Sequence, residues 1–346
     1  MSGPPPILGP GPRNALSDVG GLRVGHAGET RARTGVSVVT ADAPFACGVD
    51  VRGAAPGTRE TDLLAPTATV PRVHALVLSG GSAWGLAAAD GAMTALRDAG
   101  MGFPVGDVRV PVVPAAILFD LAVGEKPWAR AGGGEAPHRA LGLAAAEAAL
   151  AGTNDAIGSL GAGLGCTTAD VAGGLGAAST VIEGLGTVAA LVAVNAVGSA
   201  LVGGGPHFLG SHWLLGGEAW SDGTAPRPTS LTTKLDAASG QSTTIGIVAT
   251  DVALTKAGCA RLAAHGQDGY ARALAPVHTA LDGDLVFGVS TGEGAPCDDP
   301  LALALLGEAA TRTMARAVMR GVHAASPHPD GPPAWTARFA GLTSAR

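Results

Sequence analysis

The apolar residues of this chain fall into short runs and long runs, and the order of those runs is what most limits the fold. Short β-type runs occur at Leu22–Val24, Val36–Val39, His74–Leu78, Thr187–Asn195, Thr243–Thr250 and Leu285–Ser290. Helical spacing marks Leu86–Asp98, Ala140–Ala151, Lys256–Ala273 and Pro300–Ala324. Strands and helices do not alternate strictly. Layered α+β packing is therefore expected rather than a doubly wound sheet. From Gly203 to Ser242 the chain is rich in Gly, Pro, Ser, Thr and Trp and has no clear period. A long irregular segment inside a compact domain signals function or disorder. Residues 1–20 read as a flexible tail, and the stretch from Ser326 as a Pro-rich one.

Aromatic residues make up only 3% of the chain, so the core must take its bulk from Ala, Val and Leu, with the 54 glycines allowing close approach. Charged residues are 14%. So low a fraction implies that much surface is hidden in subunit contacts, and a homo-oligomer is expected. The net charge of −6 and the lack of a Lys/Arg cluster argue against nucleic acid as a partner. Cys47, Cys166, Cys259 and Cys297 are scattered without a CxxC pair, which fits reduced thiols of a cytoplasmic protein better than a zinc site or a disulfide framework. Met1–Pro12 lacks the basic and apolar regions of a signal peptide. Gly184–Val202 is uncharged, but its glycines and Asn195 suit two buried strand-like runs broken by turns better than a membrane span.

Several segments are candidates for chemistry. Ser82 follows a strand in GGSAWG, but a nucleophile elbow needs Gly two residues later, where Trp84 stands. A Gly-rich turn that lets a helix pack closely is the better reading. GSLGAGLG at Gly158–Gly165 misses the dinucleotide spacing, because the third Gly required from Gly161 is Cys166. At Gly240–Gly246 the irregular segment ends and a strand begins with Thr243 and Thr244; taken alone, this is an ordinary Thr-rich strand start. Asp282-Gly283-Asp284 is a turn whose two carboxylates can point at one site, and Asn195 ends a Val/Ala strand as a turn former would.

Taken together, these segments resemble the DmpA-type family, the β-peptidyl aminopeptidases or P1 peptidases. The resemblance runs from Gly21 to about Gly321. It is carried by GLRVGHA (21–27), RGAAPGTRETDLL (52–64), LSGGSAWGLAAADG (78–91), GAGLG (161–165), GGLGAAS (173–179), VNAVG (194–198), TTIGIVATDVALTKAGC (243–259) and DGDLVFGVSTG (282–292). It implies an αββα sandwich like that of N-terminal-nucleophile hydrolases. It also implies a chain that cuts itself between Ser242 and Thr243 into 1–242 and 243–346, the two pieces remaining one domain (21–346) and assembling as a tetramer of such pairs. By the same resemblance Thr243 is nucleophile and base, Asn195 stabilises the oxyanion, and Asp282 and Asp284 orient the amine. Neither metal nor organic cofactor is implied.

Thr243 with Asp-x-Asp resembles the nylon-oligomer (6-aminohexanoate oligomer, NylC-type) hydrolase branch more closely than the aminopeptidases, which carry Ser-x-Glu. Two positions depart from the family. Ser242 stands where Asn or Gly is common before the nucleophile, and Ala172 stands where many members have Lys. The chain has only Lys126, Lys234 and Lys256, so no role of that lysine carries over. The expected activity is hydrolysis of amide bonds in small peptides or ω-amino-acid oligomers. The alternatives are a strict aminopeptidase, an acyltransferase like ornithine acetyltransferase, and a non-catalytic ligand-binding relative.

Overall fold

The computed structural model describes residues 9–215, 233–234 and 242–343. The irregular segment expected at 203–242 falls largely outside these residues; of its start, Leu201 bridges Phe208 and Ser211–Trp213 make a 3-10 turn.

Two sheets share one long strand. Strand β1 (Leu22–Glu29) pairs antiparallel with the first half of β2 (Thr34–Val51), whose other edge pairs with β4 (Val73–Ser79). Beyond β4 come β7 (Ala115–Ile117), parallel to it, and β3 (Gly57–Arg59). The register of β2 against β4 shifts between Thr40 and Phe45, and the second half of β2 runs on into the other sheet. There it pairs with β11 (Leu285–Ser290), followed by β10 (Ile245–Thr250), β9 (Gly186–Ala193) and β8 (Leu175–Ile182). Strands β10 and β11 are parallel and the other pairs of this sheet antiparallel. A hairpin of β5 (Phe103–Val105) and β6 (Val108–Val110) stands apart.

Side-chain alternation explains the layers, because successive residues of a strand face opposite sides. Leu76 and Leu78 of β4, Leu191 of β9, Ile245 and Ile247 of β10 and Phe287 of β11 meet between the sheets. Ala75, Val77, Val36 and Val38 face outward, under α1 (Ala88–Asp98) and α2 (His138–Ala151). Val188, Ala190, Val248 and Val286 face the other way, under α3 (Lys256–Ala273) and α4 (Pro300–Ala324). The order is helices, sheet, sheet, helices: the αββα sandwich. Helix α3 starts where the Thr255 hydroxyl accepts the Gly258 N–H at 3.1 Å. Helix α4 starts where Asp299 accepts Leu301 N–H at 3.0 Å, with Pro300 in the first turn.

The scarcity of large side chains is met by close backbone approach. Gly48 of β2 and Gly288 of β11 are register partners, and α3 lies directly over both: a Cβ on Gly288 would run into the Cys259 carbonyl oxygen, and one on Gly48 into Ala260 N.

Four expectations are corrected. Residues 9–20 are packed, not a loose tail: Leu16 and Val19 enter the inter-sheet core, and the Asp18 carboxylate accepts the Ser179 hydroxyl at 2.6 Å. The tail after Ser326 is anchored by Trp335, 2% exposed and stacked on Phe208. Val36–Val39 is part of a much longer strand. Gly184–Val202 supplies one strand, β9, and then a buried loop. Among the described residues no helix is long and apolar enough to cross a membrane.

Gly288→Ala should cost about 1–3 kcal/mol or more by overpacking against α3, read as a lower denaturant midpoint with an unchanged slope.

Candidate active site

The turn Asp282-Gly283-Asp284 closes onto β11 and gathers the segments around Thr243. Asp282 Oδ1 accepts the Val197 N–H at 3.1 Å, and its Oδ2 accepts the Thr279 N–H at 2.9 Å and the Thr279 hydroxyl at 2.6 Å. Asp284 Oδ1 accepts the Thr244 N–H at 2.7 Å, and its Oδ2 meets the His278 N–H at 3.2 Å and His278 Nδ1 at 2.9 Å. Both carboxylates are 1% exposed. Burial, and then the neighbouring Asp284 charge, push the Asp282 carboxyl above its ordinary value. The hydrogen bonds of the pair run to Val197, Thr279, Thr244 and His278. Their hold on Thr243 therefore passes through the backbone beside it, not through a direct contact with its nitrogen.

Thr243 lies just ahead of β10, so the expected strand Thr243–Thr250 begins two residues later than its first hydroxyl. Its N–H donates to the Asn195 carbonyl oxygen at 2.8 Å. Its hydroxyl donates to the Ser242 carbonyl oxygen at 2.6 Å. The Gly283 N–H donates to the same oxygen at 3.1 Å. Gly283 has to be glycine here, since a Cβ would strike the Ala55 carbonyl and stand 2.7 Å from Thr243 Oγ1. Ser242 and Thr243 are 2% and 3% exposed.

Asn195 sits in the buried loop after β9. Its side-chain orientation is set by backbone partners: Oδ1 accepts the Thr167 N–H at 3.0 Å and Nδ2 donates to the Phe119 carbonyl at 2.8 Å. In the intact chain the amide thus faces Phe119, and Gly283 is the donor on the Ser242 carbonyl. Thr243, Asn195, Ser242, Asp282 and Asp284 are all brought together.

Three further residues come with them. Lys234 Nζ donates to Ser242 Oγ at 2.9 Å and to Asn195 Oδ1 at 3.2 Å. His278 and Thr279 hold the two carboxylates. The sequence signals for these were faint: three lysines in the whole chain, one of them nine residues before Thr243, and a His and a Thr just before the acidic turn. The earlier candidates lie elsewhere in the fold. Ser82 has φ 52° after Gly81 at 87° and opens a 3-10 turn, while Gly161–Gly163 form a buried turn against the start of β8. Among the described residues no group of His, Cys, Asp or Glu is arranged to hold a metal ion.

The αββα sandwich is the N-terminal-nucleophile hydrolase fold, and the peptidase family gives the class: an amide-bond hydrolase. The chain belongs to peptidase family S58, whose model matches residues 14–330. It is 39% identical to an uncharacterized aminopeptidase of Mycobacterium leprae over 92% of each chain. It is 27% identical to a 6-aminohexanoate-oligomer endohydrolase of Kocuria sp., covering 83% of this chain and 78% of that one. The solved L-aminopeptidase D-Ala-esterase/amidase of Ochrobactrum anthropi, described as a variant of the Ntn hydrolase fold, superposes with a TM-score of 0.67 at 19% identity, over 98% of both chains.

Asp284→Ala removes the acceptor of two backbone N–H groups and leaves His278 unpaired. With about 1–3 kcal/mol for each orphaned buried group, the variant should lose at least about 2 kcal/mol in equilibrium unfolding.

Proposed function

We propose that the chain cuts itself between Ser242 and Thr243 and that Thr243 then hydrolyses amide bonds of small peptides or ω-amino-acid oligomers. The observation that carries this reading is the Thr243 hydroxyl 2.6 Å from the Ser242 carbonyl oxygen, on a carbonyl that the Gly283 N–H also binds.

In the intact chain Thr243 Oγ attacks the Ser242 carbonyl carbon. The negative charge that develops on the carbonyl oxygen is met by the Gly283 N–H. The C–N bond breaks, Thr243 nitrogen takes up the hydroxyl's proton, and an ester joins Ser242 to Thr243 Oγ. Water hydrolyses the ester, leaving a Ser242 carboxylate and a free Thr243 amine. An α-amine has an ordinary pKa of about 7.7–8.0, so near neutrality part of it is an available base for the adjacent hydroxyl. Asn195 accepts a hydrogen bond from this nitrogen on its carbonyl. Its Nδ2 keeps a second N–H beyond the one given to Phe119, and that N–H is the oxyanion donor for substrate. Asp282 and Asp284 fix the backbone that carries the amine.

The two pieces stay together because β10 and β11, from 243–346, lie between β2 and β9, from 1–242. The Thr nucleophile with Asp-x-Asp supports oligomer substrates, in line with the endohydrolase relative. A strict aminopeptidase is the second reading, favoured by the higher identity to the mycobacterial chain named as one. An N-acetylated substrate separates them, since only the broader amidase cleaves it. An acyltransferase is disfavoured by the peptidase family; it would need an acceptor amine to form product. Free cysteines support a cytoplasmic setting. The low charge and the exposed Phe103, Val105, Val108 and Val110 of the β5–β6 hairpin support a homo-oligomer, a tetramer of processed pairs.

A denaturing gel and intact mass should show two fragments, with Thr243 beginning the smaller. Thr243→Ala should give one full-length band and no turnover; a split band from that variant would refute the mechanism. Asn195→Ala should lower kcat by about 10²–10³ in whatever fraction is processed.

A further inference from the structure

Lys234 has no task in the mechanism above, yet it is buried against both of its halves. Its backbone N–H donates to the Val197 carbonyl at 3.0 Å, and its side chain, in a residue 6% exposed, reaches inward. The amine touches Ser242 Oγ, on the acyl side of the scissile bond, and Asn195 Oδ1, on the residue whose carbonyl holds the Thr243 N–H. The other two lysines are used differently. Lys126 donates to the carbonyls of Ala32 and Arg33 and pairs with the Asp120 carboxylate at 3.5 Å, and Lys256 donates to the carbonyls of Leu63, Ala68 and Val70. Lys234 alone among the three spends its donors on side chains at the cleavage site.

Burying an amine is costly unless its N–H groups are satisfied. Burial pushes Lys234 down to about 7, with Cys166 and Asp282 the facing groups that oppose the shift. Among the described residues its amine has two acceptors, Ser242 Oγ and Asn195 Oδ1.

We infer that Lys234 is a positioning residue for self-cleavage and that Ser242 is the partner it is built to hold. The amine ties the hydroxyl of the residue before the scissile bond to the Asn195 side chain. The Ser242 carbonyl is thereby kept presented to the Thr243 hydroxyl and the Gly283 N–H. The inference rests on the self-cleavage reading above. It also gives serine at 242 a reason: glycine there would remove one of the amine's two acceptors among the described residues.

The test is a double-mutant cycle on the rate of scission, with the full chain made by cell-free synthesis and followed on denaturing gels. Lys234→Met and Ser242→Ala should each slow scission about tenfold, the equivalent of about 1.4 kcal/mol of barrier. The double variant should be no slower than the slower single, because both remove the same contact. Lys234→Gln, which restores an N–H donor, should recover part of the rate; a merely space-filling lysine would not respond that way. The same substitutions in the Thr243→Ala background, where the chain stays whole, report by thermal unfolding whether the precursor is folded. Should Lys234→Met fail to fold, Ser242→Ala carries the test, since it deletes one hydroxyl. Scission of Ser242→Ala at the parent rate, or a double variant slowed by the product of the singles, overturns the inference. A Thr243→Ala chain that still splits overturns the self-cleavage reading itself. An intact Thr243→Ala chain beside unimpaired Ser242→Ala overturns only the role of Lys234.

Discussion

The buried turn Asp282-Gly283-Asp284 is the constraint on which the rest of the site depends. Its side chains hold the loop after β9 through Val197 and the start of β10 through Thr244. Its backbone carbonyls accept from Arg52, Gly53 and Ala55, at the far end of β2, and its central N–H binds the Ser242 carbonyl. Segments distant in sequence are thus fixed by one short turn. Burying two carboxylates so close together is costly, and burial first, then the Asp284 charge, raise the Asp282 carboxyl above its ordinary value. Backbone N–H donors on both acids, with the Thr279 hydroxyl on Asp282 and the His278 ring on Asp284, offset it.

Around that turn the packing follows from how little bulk the chain carries. With few aromatic side chains, the layers must sit close, and glycine makes that possible where helices cross strands. Gly48 and Gly288 lie side by side under α3, and Gly176 lies under α4 against the Ala317 carbonyl. Close packing of this kind is rigid, because any added atom meets backbone. Rigidity suits the proposed self-cleavage, whose reacting atoms would have to be in place before the chain is cut.

The proposed cut before Thr243 would leave the two pieces one body, because of where the strands after it lie. Strands β10 and β11 are central in their sheet and not at its edge. Each is hydrogen-bonded on both sides and buried on both faces, between the inter-sheet core and the α3–α4 layer. Cutting before β10 frees an end without removing any of these contacts. An amine reaches the site from Lys234.

Much of the fold was legible in the amino-acid order. Lys256–Ala273, Leu285–Ser290 and Pro300–Ala324 form the expected elements at the expected bounds, because side-chain periodicity is a local property. Strand β8 is not among the expected runs: the Gly and Ala of its first half carry no strand signature, its β-branched run 180–182 is short, and its pairing with β9 decides its conformation. The packed segment 9–20 and Trp335 looked like tails because their partners, Ser179 and Phe208, are far away in sequence. Within the site, Thr243, Asn195 and the Asp pair could be named from motifs. Their division of labour could not: that Gly283 donates to the Ser242 carbonyl, that the Asn195 amide faces Phe119, and that Lys234 reaches both Ser242 and Asn195 depend on approaches across the fold. The sequence by itself determined the kinds of element and the groups able to react. Only the tertiary structure decided which donor meets which acceptor, because a hydrogen bond depends on distance and direction, and neither is a property of one segment of chain.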